Sequence, residues 1–386
     1  IATRLGSDPD AVAPLWVHLH GGGIGWFSPS GMPRPGVGQK TEESHATQRA
    51  GVHAGELQAR VREHPAGFRM MAVSMCNHDI YAGGDVPDPN NPNVTPDGRP
   101  RTVNGLFATK AAVQHALTIL PTDDYLLYGT SAGSYGSFHV GWGLAQMGIP
   151  PTAIVADSGV MNMPWHDATW SMPGCGRPEE ARVEIPRRLH PDVVAPANDP
   201  SLLVGSGRLP TPVLDVFSIG DPGQCGEQEI ECPLGADTVT MGAVDCMHEP
   251  LRRAIEAEGP SSRSVSMRLC VRFPGDPPGS CATHTPTRKP LVNSIGPWPS
   301  DYHRAVVDWA VERLDDDGGA LPPVDGPDVA FVLAALTDLL GGATPARAEA
   351  EVHALRAGLS PAGLLGRLTR SREWLTAVVD DLYHDT

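Results

Sequence analysis

Tyr125-Leu126-Leu127-Tyr128-Gly129-Thr130-Ser131-Ala132-Gly133 is the stretch whose reading decides the fold. An apolar run suited to a buried strand leads straight into Gly-x-Ser-x-Gly. The segment that follows, Ala132 to Met147, is rich in small residues and reads as a helix. A serine at such a junction is predicted to sit on a sharp, strained turn that lifts its hydroxyl clear of the sheet. The residues two positions to either side must be tiny, because the turn presses them against a neighbouring strand and helix. The helix N-terminus adds a field that favours developing negative charge. Ser131 is therefore the candidate nucleophile. The five-residue pattern alone recurs by chance; the strand before it and the helix after it give it weight.

Working outward, further short apolar runs read as buried strands: Pro14 to His20, Arg69 to Met75, Asp124 to Tyr128, Thr152 to Ala156, Val213 to Ile219 and Ser264 to Val271. Helix-period segments lie between them: Thr41 to Glu63 (polar, in part a loop), Asn104 to Leu120, Leu251 to Glu258 and Tyr302 to Leu314. This alternation predicts an α/β fold with a mostly parallel central sheet and helices on both faces. Two segments break it: the Pro/Asn/Asp-rich Asp85 to Pro100, and the long Trp165 to Pro210. The second is expected to cover the carboxyl ends of the strands, where ligands bind in such folds.

Upstream of the serine, Leu15 to Phe27 delivers His20-Gly21-Gly22-Gly23 at a strand end. Consecutive glycines let backbone N–H groups approach a substrate oxygen with no Cβ in the way. Gly22 and Gly23, with the N–H of Ala132, are the candidate oxyanion hole. The loop lacks the Lys-Ser/Thr ending and the spacing of a phosphate-binding loop.

A fold of this type takes its triad in the order serine, acid, histidine. His284, in a loop after the last strand, is the candidate base; His248 is the alternative, and His139 reads as a packing residue in the helix after Ser131. Asp221, just past the Val213 to Ile219 strand, is the candidate acid, with Asp157 as its alternative. Asp215 sits mid-strand, and Asp237 and Asp245 fall in a Cys-bearing insertion. Trp26, Phe27, Tyr135, Trp165 and Trp170 are candidates for lining a substrate pocket, with core packing the competing role.

The formal net charge is −16. Such a surface repels phosphate backbones and anionic lipid, so nucleic acid is not an expected partner. No apolar run of about 18 residues occurs, so no membrane span is expected. The seven cysteines hold no Cys-x-x-Cys pair, which argues against zinc. Two or three disulfides with one unpaired thiol are expected, and with them an extracellular setting. No cofactor or metal is called for; the Asp85 to Asp97 loop lacks the spacing of a calcium site. Only three lysines (Lys40, Lys110 and Lys289) stand against many arginines, as in proteins of GC-rich genomes.

After Leu314 the composition changes. Residues 315–328 read as a linker between a catalytic domain (1–314) and a small all-α module (329–386). Leu336 to Leu340 resembles Val379 to Tyr383, about forty residues on, as if a second repeat begins where the sequence stops. With Ile1 at the start, the chain is expected to derive from a longer, processed protein.

Four motifs together resemble the pectin acetylesterase family, which includes the Notum-type carboxylesterases. They are Leu19-His20-Gly21-Gly22-Gly23, Val73-Ser74-Met75-Cys76-Asn77-His78-Asp79, Gly129-Thr130-Ser131-Ala132-Gly133 and Ser280-Cys281-Ala282-Thr283-His284. The likeness spans roughly Leu15 to His303. Ile219 to Gln224 matches the segment that bears the family's acid with one residue of drift. Ser134 and the Gly-Gly-Gly-Ile-Gly-Trp loop depart from the family's usual glycines.

The resemblance implies an α/β-hydrolase fold and a secreted serine carboxylesterase with the triad Ser131, Asp221 and His284. Its expected substrates are esters: acetylated polysaccharide, small or aromatic esters, or polyesters. A serine peptidase and a non-catalytic surface-binding protein on an esterase scaffold stay open as alternatives. The tail, through Leu339-Leu340-Gly341 and Leu368 to Glu373, resembles a tandem helical module of secreted bacterial proteins. That likeness implies export and association with the cell envelope.

Overall fold

The computed structural model describes residues 2–4, 11–34, 44–53, 55–159, 179–224, 228–234, 237–257, 263–270, 281, 283–288 and 301–315. Trp165, Trp170, Cys175, Cys225, residues 316–328 of the expected linker and the C-terminal module lie outside them.

Seven strands form the central sheet: β1 (Ala2–Arg4), β2 (Leu15–Leu19), β3 (Arg69–Val73), β4 (Tyr125–Thr130), β5 (Ala153–Asp157), β6 (Val213–Ser218) and β7 (Val265–Leu269). Their spatial order is β1-β3-β2-β4-β5-β6-β7. Six run parallel, and only the edge strand β1 is antiparallel, against β3. This is the α/β-hydrolase arrangement. The six parallel strands fall within the six apolar runs read from sequence, except that β4 runs two residues past Tyr128, to Thr130, and β5 one residue past Ala156, to Asp157.

Side chains alternate between two cores with the period of a pleated strand. Leu15, Val17, Leu19, Leu127 and Ile154 pack on one side. Trp16, Leu126, Tyr128, Val155 and Val216 pack on the other. Both faces are covered, which is why the strands read as continuous apolar runs rather than alternating ones. The first face is covered by α3 (Gly105–Ile119), α4 (Ala132–Gln146) and α5 (Ala243–Ala257). The second is covered by α1 (His45–His53), α2 (Glu56–Glu63) and α6 (Tyr302–Asp315).

Three expectations change. The polar Thr41 to Glu63 segment holds two helices, the second beginning after Gly55, whose φ is 96°. Helix α5 starts at Ala243, eight residues before the expected Leu251, and carries Pro250 inside it. The proline removes one backbone donor, but Val244, Cys246, Met247 and Leu251 are all buried, so burial sustains the helix through that position. The described part of Trp165 to Pro210 is not an open loop. It is a chain of short helices: Glu179–Glu184, Pro186–Arg188, Pro191–Val194, Pro196–Asn198 and Pro200–Gly205. Four of them begin with proline, which suits the first helical turn, where its missing N–H would have no partner in any case.

Disulfides join Cys232 to Cys246 and Cys270 to Cys281. Among the described residues Cys76 carries a free thiol. No described helix is long and apolar enough to cross a membrane.

Candidate active site

Ser131 lies between β4 and α4 with φ 52° and ψ −115°. An L-residue pays of order 1–3 kcal/mol for such a backbone, and it persists only where the surroundings enforce it. The surroundings here are the two flanking glycines. A Cβ at Gly129 would run into the Gly133 carbonyl, and a Cβ at Gly133 into the Leu19 carbonyl of β2. Ser131 is the N-cap residue of α4, yet its hydroxyl makes no capping bond. The residue is half-buried. The first N–H groups of a helix have no acceptor within it, so those of Ala132 and Gly133 border the serine.

The Gly21 to Gly23 loop comes up beside it. A Cβ at Gly21 would lie 2.9 Å from the Ser131 Cβ, a spacing only glycine permits. The Gly21 N–H donates to Thr130 Oγ1 at 3.0 Å, which ties the glycine loop to the elbow. Gly22 is held through its carbonyl, 3.2 Å from His78 Nδ1. Gly23 adopts φ 72° and faces open space.

His284 and Asp221 meet. Nδ1 lies 2.8 and 2.9 Å from the two carboxylate oxygens. Asp221 is fully buried, while the imidazole keeps about a third of its surface exposed. A carboxylate only accepts, so the Nδ1 proton is donated to it and Nε2 becomes the basic atom of the ring. Asp221 is fixed in turn by the Gly223 N–H, 2.7 Å from Oδ1.

The segment bearing His284 is anchored from several sides. Cys281 is bonded to Cys270, just past β7. Ser218 Oγ donates to the Cys281 carbonyl at 2.6 Å. The Thr285 N–H donates to Ser158 Oγ at 3.1 Å, and the Thr287 N–H to Asp157 Oδ2 at 3.2 Å. The Ser131 N–H donates to the Asp157 carbonyl at 2.8 Å. Ser131 and the His284 segment are thus both bonded to the dipeptide Asp157-Ser158, at the carboxyl end of the sheet.

The alternatives from sequence fall elsewhere. Asp157 does not reach the imidazole as Asp221 does; its side chain bonds Ser158 and Thr287. Burial pushes its carboxyl up to about 7, against the pull of the Thr287 and Ser158 hydrogen bonds and of the His284 charge. His248 lies buried within α5, where its Nδ1 is bonded to Asp215 of β6. His139 packs against Tyr135 and bonds the Asn198 carbonyl at 3.1 Å. Tyr135 and Trp26 are buried in the core on the same face, and Phe27 is also buried. Asp237 and Asp245 belong to the hairpin and helix joined by the Cys232–Cys246 bond. Among the described residues no cluster of three potential metal ligands occurs.

Sequence reading missed three features. Thr130 ties down the glycine loop. The hydroxyls of Thr285, Thr287 and Ser158 serve the histidine segment. Arg188, almost fully buried, pairs with Asp88 at 2.6 Å and also donates to the Gly25 and Asn77 carbonyls, clamping the short-helix segment onto the end of the glycine loop. The run of threonines around His284 is a visible signal for the second. Arg188 and Asp88 are far apart in sequence, and nothing local pairs them.

No family model and no curated protein matches the sequence. Among solved structures, the chain is similar to the Wnt deacylase Notum from Drosophila (14% identity over 81% of this chain and 87% of that one, TM-score 0.43). It is also similar to a thermostable esterase from Pseudomonas putida (13% identity, 80% and 75%, TM-score 0.42) and to a bacterial brefeldin A esterase (12%, 81% and 70%, TM-score 0.39). Scores and identities this low say nothing about chemistry, which rests on the geometry above.

Proposed function

We propose that this protein is a serine ester hydrolase. The observation that carries the reading is the joint placement, at one end of the sheet, of a serine held in a strained elbow (φ 52°, ψ −115°) and a histidine whose Nδ1 is 2.8 Å from a buried carboxylate. Ser131 Oγ attacks the ester carbonyl carbon while His284 Nε2 takes its proton. The carbonyl π electrons move onto oxygen, which the N–H groups of Ala132 and of Gly22 or Gly23 stabilise. The intermediate collapses, the C–O bond to the alcohol breaks, and the imidazolium returns the proton to the leaving oxygen. Water, deprotonated by His284, then adds to the acyl carbon; the bond to Ser131 Oγ breaks, the acid leaves, and the imidazolium returns the proton to the serine oxygen. Asp221 holds the ring in the required tautomer and stabilises its protonated form without taking the proton.

The four local motifs support placing the chain near the pectin acetylesterase and Notum-type enzymes, with acetylated polysaccharide or other small esters as substrates. The two disulfides support an extracellular setting. Turnover of p-nitrophenyl acetate by wild type and Ser131→Ala tests the reading. A loss of about 10⁵-fold or more is expected; a Ser131→Ala variant with the wild-type rate ends it.

A further inference from the structure

We propose that Asp157 is a positioning residue that sets the separation of Ser131 and His284, gripping the serine elbow with its backbone and the histidine segment with its side chain. The inference rests on the hydrolase reading above and assigns a role to a carboxylate which that mechanism does not use.

Four observations carry it. First, the Asp157 carbonyl accepts the Ser131 N–H at 2.8 Å, so the strained elbow is pinned to the end of β5. Second, the Asp157 carboxylate accepts the Thr287 N–H at 3.2 Å, the Thr287 hydroxyl, and the Ser158 hydroxyl at 3.0 Å. Ser158 Oγ in turn accepts the Thr285 N–H at 3.1 Å. The two backbone amides that follow His284 at alternate positions are therefore both held by one dipeptide. Third, Ser158 takes φ 54°, a left-handed turn that costs an L-residue energy; it bends the chain after Asp157 and is pinned by the Ser158 N–H to the Val216 carbonyl at 2.7 Å. Fourth, Tyr128 of the serine-bearing strand shares a hydrogen bond with Thr287 Oγ1 at 2.6 Å, which makes a second bridge between the same two parts.

Asp157, Ser158 and Thr287 are completely buried. A carboxyl in such a place is costly unless donors meet it, and here the donors come from its neighbour and from the histidine segment. Packing alone would be served by an apolar residue. The carboxyl is also not the orienter of the imidazole, because Asp221 already meets Nδ1 with both oxygens. What remains is its double attachment, through its carbonyl to the Ser131 N–H and through its carboxylate to the segment after His284, in a site where a displacement of about 1 Å costs on the order of 100-fold in rate.

The test compares Asp157→Ala, Asp157→Asn and Thr287→Val with wild type, with p-nitrophenyl acetate kinetics and amide hydrogen exchange of residues 283–288 read on each full chain. Asp157→Ala is expected to lower kcat about 100-fold with KM within about threefold, and to speed exchange at 283–288 about tenfold or more. Asp157→Asn keeps an acceptor for the Thr287 N–H and is expected to recover most of both. Thr287→Val, which deletes one donor, is expected to lower kcat about tenfold. A folded Asp157→Ala whose kcat is within threefold of wild type overturns the proposal, as does a loss that Asn does not recover with exchange at 283–288 unchanged. Should Asp157→Ala not fold, Asn and Thr287→Val decide, and wild-type kcat and exchange in Thr287→Val overturns it. A wild type that turns over no ester fails the hydrolase reading instead; the exchange arm then decides the clamp alone, unchanged protection overturning it.

Discussion

Two histidine–aspartate pairs hang from the same strand. Asp215 lies midway along β6 and meets His248 of α5, with Nδ1 3.0 Å from Oδ2. Asp221 lies just past the end of β6 and meets His284, with Nδ1 2.8 Å from Oδ2. The pairing chemistry is the same and the distances nearly so. The surroundings are not. His248 is about 1% exposed, stacks on Phe217 with ring centroids 3.9 Å apart, and shares its aspartate with Ser266. His284 is about a third exposed and stands on the segment bonded to the serine elbow through Asp157 and Ser158. Position along the strand sets the exposure: mid-strand, a helix buries the pair; past the strand end, the imidazole is left about a third exposed. The interior pair is enclosed on all sides, and removing one partner is costly because it strands the other.

Equivalent substitutions in the two pairs are expected to have different effects. His284→Ala is expected to lower kcat by about 10⁵-fold or more, whereas His248→Ala leaves kcat within a few-fold and costs about 3–5 kcal/mol of stability; both variants lose stability, since each strands a buried aspartate, Asp221 or Asp215. Steady-state kinetics and urea titration on both variants check the pair of outcomes. Next in size, Asp221→Asn is expected to lower kcat about 10⁴-fold by favouring the wrong tautomer, while Asp215→Asn affects unfolding and not turnover. The Cys270–Cys281 bond closes a short loop directly before His284. A Cys270→Ser, Cys281→Ser double variant is expected to lose about 3 kcal/mol of stability in urea.

The smallest effect concerns a third histidine. His18 stacks on Tyr128 in the core, and burial pushes its pKa from 6.5 down to about 3. Between those values the unfolded chain binds the proton and the folded chain does not. His18 therefore favours folding above pH 6.5, and that contribution is lost as pH falls toward 3. Thermal melts of His18→Leu are expected to show a shallower fall in midpoint from pH 7 to pH 4 than wild type. Asp157 works in the opposite sense: its raised pKa, about 7, takes stability away as pH climbs from the ordinary carboxylate range toward neutrality.

The parallel strands were legible because they are buried on both faces, so Leu15 to Leu19 and Val213 to Ser218 stand out as unbroken apolar runs. The elbow was legible because sterics demand Gly129 and Gly133. Asp221 and His284 were reached by chain order and by loop position after a strand. Loop position after the last strand set His284 ahead of His248, but the burial of His248 was not legible: it sits in a helix that a proline at position 250 disguised. The Asp157-Ser158 clamp and the Arg188–Asp88 pair depend on contacts between distant segments, and a single sequence holds no local trace of such pairings. The short helices of 179–205 were hidden by their prolines, which read as loop signals although at a first helical turn they start helices.

On the proposed mechanism the hydroxyl of Ser131 is activated for attack. Peptide mapping by mass spectrometry after treatment with a fluorophosphonate probe tests it directly. One adduct per chain on Ser131, formed slowly or not at all in His284→Ala and at the wild-type rate in His248→Ala, is the predicted result. An unlabelled Ser131, or labelling that depends on His248 instead, would contradict the account.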